Sequence, residues 1–374
     1  MTFKDAMEHY RAGTASEEER QLVEQELEKS QLIAEYLDAQ WEEKPILPAA
    51  APEEMKQVRK SLRRRNALTV LTSLLLAAAL LLGTVYIGIP AAESFYWDPS
   101  VTSYGTPYST DLELTLSTYT ELFCPDINIA STTEKRTGFA AYEISIQYWD
   151  AYRGGDSKYA MGTIEKGELT LPSGFLRQCP INIFDRATYP FFESGASDLQ
   201  SVYDNISQLP EYVRVVAAVS FPEDKSMEQV LEFQDSLLDG QIGWTAIRSG
   251  PLDEQRLPLC GMDIYQSGSV RTEVNAYYPY LDTKGAEINA ANLETHFKSL
   301  LQYSLDQANA GTGIPVWSNV DQFYYAKVLE YVKEYGVYSY GCYISGTPET
   351  FLALIEGGAV TKVHVEDVWI DAWA

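Results

Sequence analysis

"EYVRVVAAVSFPEDKSMEQVLEFQDSLLDGQIGWTAI", residues 211–247, sets the architecture of most of this chain. Its first eleven residues (211–221) read as a buried strand around the apolar run Val215 to Val219. Ser226-x-x-Gln229 then makes a capping box, with Val230, Leu231, Phe233, Leu237 and Leu238 on one helical face and Gly240 as the stop. "QIGWTAI" (241–247) reads as the next strand. Strand, crossover helix and strand make a βαβ unit, for which parallel pairing and a right-handed connection are expected.

The same order returns near the C-terminus. "VYSYGCYISG" is a strand, "TPETFLALIEGG" a helix with Thr347 as cap, Pro348 at its first position and Gly357 after it, and "AVTKVHVEDVWI" a strand. Two helices lie between the units, about 292–309 with an Asn292 cap and about 318–335 with a Ser318 cap and a Gly336 stop. The two units read as an internal duplication within one sheet, with helices on its face. Upstream, "AAYEISIQYW" alternates as a strand, and "YAMGTIEKGELTLP" is a hairpin turning at Glu165-Lys166-Gly167. "LELTLSTYTELFCP" fits both periods: Leu112, Leu114 and Leu116 alternate, whereas Leu112, Leu116, Tyr119 and Phe123 suit a helix. The fold class is α+β, with a mixed α/β region carrying two βαβ-like units.

Residues 67–89 are uncharged throughout and have no polar face. As a helix they would be about 34 Å long, enough for a hydrocarbon core of about 30 Å. A transmembrane helix over 66–90 follows. Just before it stand Lys56, Arg59, Lys60, Arg63, Arg64 and Arg65 without an acid; just after it come Glu93 and Asp98 without a base. Basic flanks stay inside, which places the N-terminus in the cytoplasm and residues from about 91 onward outside. The organisation is then 1–41, a cytoplasmic helical piece; 42–65, a Pro-containing linker and basic juxtamembrane helix; 66–90, the span; 91–190 and 191–374, two exterior domains.

The net charge of −25 is unevenly distributed. Residues 1–54 hold 5 basic and 14 acidic residues, and residues 91–374 hold 17 and 39. So acidic an exterior repels nucleic acid and anionic polymers. All four cysteines (Cys124, Cys179, Cys260, Cys342) are exterior, widely spaced and without a C-x-x-C pair, which leaves two disulfides or four buried thiols open. No G-x-S-x-G, H-E-x-x-H or phosphate-binding glycine loop occurs. His364 and Glu366 share a strand face, and carboxylates such as Asp98 and Asp126 invite a glycosidase comparison. Neither set is diagnostic, and no catalytic residue, metal or cofactor is expected.

The inner piece is helical. Phe3, Met7 and Tyr10 make one stripe before Gly13, and Ser16-x-x-Glu19 opens a second helix whose first turn carries Glu17, Glu18 and Glu19. Val23, Leu27, Ala34, Leu37 and Trp41 fall near one side of it, widened by Leu22, Ile33 and Tyr36. Pro45, Pro48 and Pro52 extend residues 43–52, and Met55, Val58 and Leu62 then form a seam on the basic helix. Either anionic lipid or a protein partner could engage that helix.

"YRAGTASEEERQLVEQELEKSQLIAEYL" resembles the anti-sigma domain of membrane-bound anti-sigma factors, which hold a sigma factor of RNA polymerase inactive. Tyr10, Gly13, Ser16 and Glu17 to Glu19 fit that pattern. The family's His-x-x-x-Cys-x-x-Cys becomes Glu26, Ser30 and Ile33 here, so the resemblance implies a zinc-free variant. His9 reads as a surface helix residue. The exterior resembles the sigma factor regulator N-terminal domain in "STYTELFCPDINIASTTEKRTGFAAYEISIQYWD". It resembles the C-terminal domain in "QLPEYVRVVAAVSFPEDKSMEQVLEF" with "IGWTAI". Cys124 stands there where an apolar residue is usual. These resemblances imply sequestration of an extracytoplasmic-function sigma factor through Leu22, Val23, Leu27, Ile33, Leu37 and Trp41, with Met55, Val58 and Leu62 extending the contact. Release would follow an envelope signal, through a ligand, an accessory membrane protein or a protease. The rival is a membrane-tethered ligand-binding or adhesion module, which leaves the capped inner helices unexplained.

Overall fold

The computed structural model describes residues 3–42, 52–102, 110–153, 157–180, 183–185, 199–251, 259–264, 277–281, 287–310 and 320–370. The chain divides into two compact units, Met1–Thr84 and Val85–Ala374.

The first unit holds α1 (Phe3–Arg11), α2 (Glu17–Glu42) and α3 (Pro52–Gly83). Gly13 turns the chain between α1 and α2 at φ 72°, a backbone conformation open to glycine. The Pro-containing linker lies outside the described residues up to Pro52, which opens α3. The helix containing the apolar run continues from Lys56 to Glu93, 38 residues with a mean hydropathy of 2.3 in its most apolar window. Within it, Thr84–Gly88 widens into a π-helical segment before α4 (Ile89–Glu93). Pro90 supplies a local cause, because it has no N–H to complete the regular ladder with the preceding turn.

The second unit takes in α4 and continues with α5 (Asp111–Phe123), which resolves the ambiguous stretch as a helix. Thr110 caps it, its Oγ1 accepting from Glu113 N–H at 3.2 Å. Leu112, Leu116, Tyr119 and Phe123 form its buried face. A four-stranded antiparallel meander follows: β1 (Ile127–Gly138), β2 (Ala141–Asp150), β3 (Lys158–Glu165) and β4 (Glu168–Thr170). The β3–β4 turn is the expected one. Lys166 and Gly167 both have positive φ, 52° and 83°, the signature of a tight two-residue hairpin whose twist matches its strands.

After α6 (Leu199–Ile206) come β5 (Val213–Ser226), α7 (Met227–Ser236), β6 (Gly240–Ile247), β7 (Cys260–Asp263), α8 (Ala290–Ala310), α9 (Gln322–Tyr335), β8 (Tyr338–Gly346), α10 (Pro348–Glu356) and β9 (Lys362–Ile370). Both expected strand–helix–strand units are present and share one five-stranded sheet of order β7-β6-β8-β5-β9. The expected parallel pairing is corrected. β5 pairs antiparallel with β8 and β9, and β6 pairs antiparallel with β8 and β7. The strands of each unit therefore run parallel but are separated by a strand of the other unit, a pair of interlocked split βαβ units. Exchanging the units maps the order β6-β8-β5-β9 onto itself, the symmetry an internal duplication produces.

The apolar run in β5 follows from coverage of both sheet faces. Val215, Ala217, Val219 and Phe221 enter the main core, while Val216 and Ala218 enter a second cluster with Phe184, Trp244, Tyr340 and Tyr343. Gly341 on β8 sits where a Cβ would stand 2.4 Å from Val219 O and 2.6 Å from the Phe184 ring. The main core takes residues from α5, β2 and β3 as well as from β5 to β9. The boundary expected at 190/191 lies outside the described residues.

Several helix ends differ from expectation. The capping box of Ser226 and Gln229 is present, but α7 ends at Ser236 and Gly240 opens β6 instead of stopping the helix. Leu238 is exposed, and Met227, Val230 and Phe233 form the buried face. Asn289, not Asn292, precedes α8 and accepts from Asn292 N–H at 2.9 Å. Asp321 caps α9, accepting from Phe323 N–H and Tyr324 N–H; Ser318 lies outside the described residues.

Candidate functional site

In the first unit, Ser16 and Glu19 make the expected reciprocal cap: Glu19 N–H donates to Ser16 Oγ at 3.3 Å, and Ser16 N–H to Glu19 Oε2 at 2.7 Å. Sequence reading missed that the same carboxylate meets His9 of α1, with Nδ1 2.9 Å from Oε1. The His9 contact and the Ser16 N–H hold the Glu19 carboxyl below its usual range. Ala6 and Val23 are fully buried between the helices. Val23, expected on the partner surface, is thus part of the hairpin's own contact. Tyr10 is exposed, and the side chain of Phe3 is outside the described residues.

Length limits what α1 can cover. Nine residues span about 13 Å and the 26 of α2 about 39 Å, so most of the second helix has no covering from the first. Leu22, Leu27, Leu32, Ile33, Tyr36 and Leu37 are all exposed. Val58 and Leu62 are also exposed on α3. At about 100° per residue, Lys56, Arg59, Lys60, Arg63 and Arg64 occupy an arc of roughly 140°, with Val58 and Leu62 on the opposite side. Helix α2 is described through Glu42 and α3 from Pro52, but the side chains of Trp41 and Met55 are outside the described residues.

The second unit contains a buried polar cluster joining three distant segments. Glu121 comes from α5, Asp263 from β7 and His296 from α8. His296 is fully buried; its Nδ1 lies 2.6 Å from Tyr280 O and its Nε2 2.6 Å from Glu121 Oε1. A carbonyl only accepts, so Nδ1 carries a proton and Nε2 shares one with Glu121. Asp263 N–H donates to Glu121 Oε1 at 3.3 Å, and Trp244 Nε1–H donates to the Glu121 carbonyl at 2.6 Å. Burial, reinforced by the Glu121 charge, raises the Asp263 carboxyl well above its usual range, which favours its neutral form. The arrangement ties α5, β7 and α8 together through buried hydrogen bonds.

The other suspected chemistry disperses. His364 and Glu366 meet at 3.5 Å on an exposed strand surface. Asp98 accepts from Ser100, and burial raises the Asp126 carboxyl. Among the described residues no group of three or more His, Cys, Asp or Glu side chains is arranged to hold a metal. The four cysteines are free and buried. Burial pushes the thiols of Cys179 and Cys260 up to about 12, and raises Cys124 and Cys342 as well. Cys124 occupies its apolar position as a packed thiol.

Residues 206–367 match the family described as sigma factor regulator C-terminal. The match covers both split βαβ units and the helices between them. No curated protein and no solved structure matches the chain.

Proposed function

We propose that this chain is a membrane-anchored anti-sigma factor. The carrying observation is the family match over 206–367. Two further features support it: a helix long and apolar enough to cross a membrane, and a separate helical unit whose second helix leaves an apolar stripe uncovered. The basic residues from Lys56 to Arg65 favour a cytoplasmic N-terminus, with the acidic unit outside. In this reading Leu22, Leu27, Ile33, Leu37 and Trp41 fill an apolar groove on an extracytoplasmic-function sigma factor, and Val23 braces them from within the hairpin. Met55, Val58 and Leu62 extend the contact along the helix that enters the bilayer. Occupation of the groove keeps the sigma factor from core polymerase, and a signal read outside releases it. No catalytic step is required of the chain.

Replacing both Leu27 and Leu37 by Asp in the full-length protein puts two charges where desolvation is needed for binding. The expected outcome is loss of sigma-factor co-purification from membranes and increased transcription from that factor's promoters. Undiminished co-purification, with the variant present in the membrane at its normal level, would refute the assignment of this surface.

A further inference from the structure

The outer end of the apolar helix is gripped by the first sheet. Glu93, the last residue of α4, accepts from the Arg136 guanidinium and, at 3.1 Å, from Ala140 N–H, both at the β1–β2 hairpin. The Tyr96 ring stands edge-on to Phe139 at that hairpin's tip, with centroids 5.9 Å apart and planes at 83°. The β3–β4 turn adjoins it: Lys166 N–H donates to Ala140 O at 2.7 Å. A Cβ on Gly167 would stand 3.5 Å from the Trp97 backbone nitrogen. Two hairpin tips and residues 93–97 therefore form one rim.

The position of that rim follows from the chain. Glu93 is four residues beyond Ile89, about 6 Å past the end of the apolar run. Headgroup layers add several ångströms to each side of the hydrocarbon core, so this is headgroup depth. The side chains suit that depth. Phe95 is 88% exposed and Phe139 remains 42% exposed despite its contact with Tyr96. Aromatic rings concentrate at membrane interfaces, where an apolar body meets a polar layer. The rim's charges are largely compensated: Arg136 faces Glu93, Lys135 faces Glu143 at 3.7 Å, and Lys166 stands between Glu165 and Glu168 in sequence. It lacks the strong excess of acid found in the exterior as a whole.

We propose that this rim rests in the outer headgroup layer of the bilayer, with Phe95 and Phe139 reaching the acyl boundary. The proposal rests on the reading of Lys56–Glu93 as a membrane span with the acidic unit outside.

The test uses the full chain in phospholipid nanodiscs, with a nitroxide on one introduced cysteine at a time. The positions are Phe95→Cys, Phe139→Cys, Leu76→Cys within the span, and Tyr159→Cys on β3. Tyr159 is exposed and about 20 Å along the strand from the turn. The native thiols are buried and do not compete for label. Labels at 95 and 139 should collide more with lipid-soluble oxygen, and several-fold less with a water-soluble nickel chelate, than the label at 159. Free nickel access at 95 and 139, with the label at 76 in the bilayer, overturns the proposal alone. Shielding of 95 and 139 from both reagents means a protein covers the rim and also overturns it. Free nickel access at 76 overturns the span reading and the proposal with it.

Discussion

Asp263 illustrates how much a single buried group depends on partners remote in sequence. Its carboxyl is raised by desolvation and by Glu121, whereas in the unfolded chain it ionises near 3.8. Above that value the unfolded state releases a proton that the folded state retains, so this residue makes stability fall as pH rises. Asp263→Asn removes the penalty. The variant should melt at a higher temperature than the parent at pH 7, and the gap should narrow as pH falls towards 4. A gap that widens on acidification would mean the native carboxyl is ionised. His296 was readable as a residue inside a helix, yet its partner Glu121 lies 175 positions away and no periodicity announces it. The Ser16 and Glu19 cap was legible because both residues sit within four positions. The addition of His9 to it was not, because that contact depends on how α1 folds back.

Elements were read best where local chemistry decides them. Ser226 and Gln229 mark the start of α7, and Lys166-Gly167 marks a hairpin, because cap and turn are satisfied within a few residues. Thr110 settles α5 as a helix by the same means, its cap outweighing the alternation of Leu112, Leu114 and Leu116. Strand order was beyond reach. The units in 211–247 and 337–370 look self-contained in sequence, and only long-range pairing shows that β8 separates β5 from β6. Gly341 is a tight place in that arrangement, where β8 passes between Val219 O and Phe184. Gly341→Ala puts a methyl against backbone on one side and a ring on the other. A loss of about 1–3 kcal/mol is expected from such overpacking, measurable as a lower denaturant midpoint with an unchanged slope. An unchanged midpoint would show that β8 shifts without strain.

At the scale of the whole molecule, the division into a small N-terminal helical piece, an apolar helix and a large acidic C-terminal part was legible because charge and hydropathy change abruptly at residues 55, 66 and 90. The candidate partner stripe on α2 was legible in outline, and the structure adds that Val23 is enclosed while Leu27, Ile33 and Leu37 are open. The grip of Glu93 on the first sheet was not legible, since Arg136 is 43 positions away.

The four sealed thiols have a use of their own. Three belong to the main core, Cys124, Cys260 and Cys342, and Cys179 belongs to the smaller cluster on the other sheet face. Because burial both hides them and keeps them protonated, alkylation measures opening events directly. Pulse labelling of the native protein followed by mass spectrometry should find each thiol modified only as fast as its own neighbourhood opens. If the small cluster opens before the main core, Cys179 is marked first and the other three later and together. The chain thus carries a four-channel clock of its own unfolding, already installed and requiring no added probe.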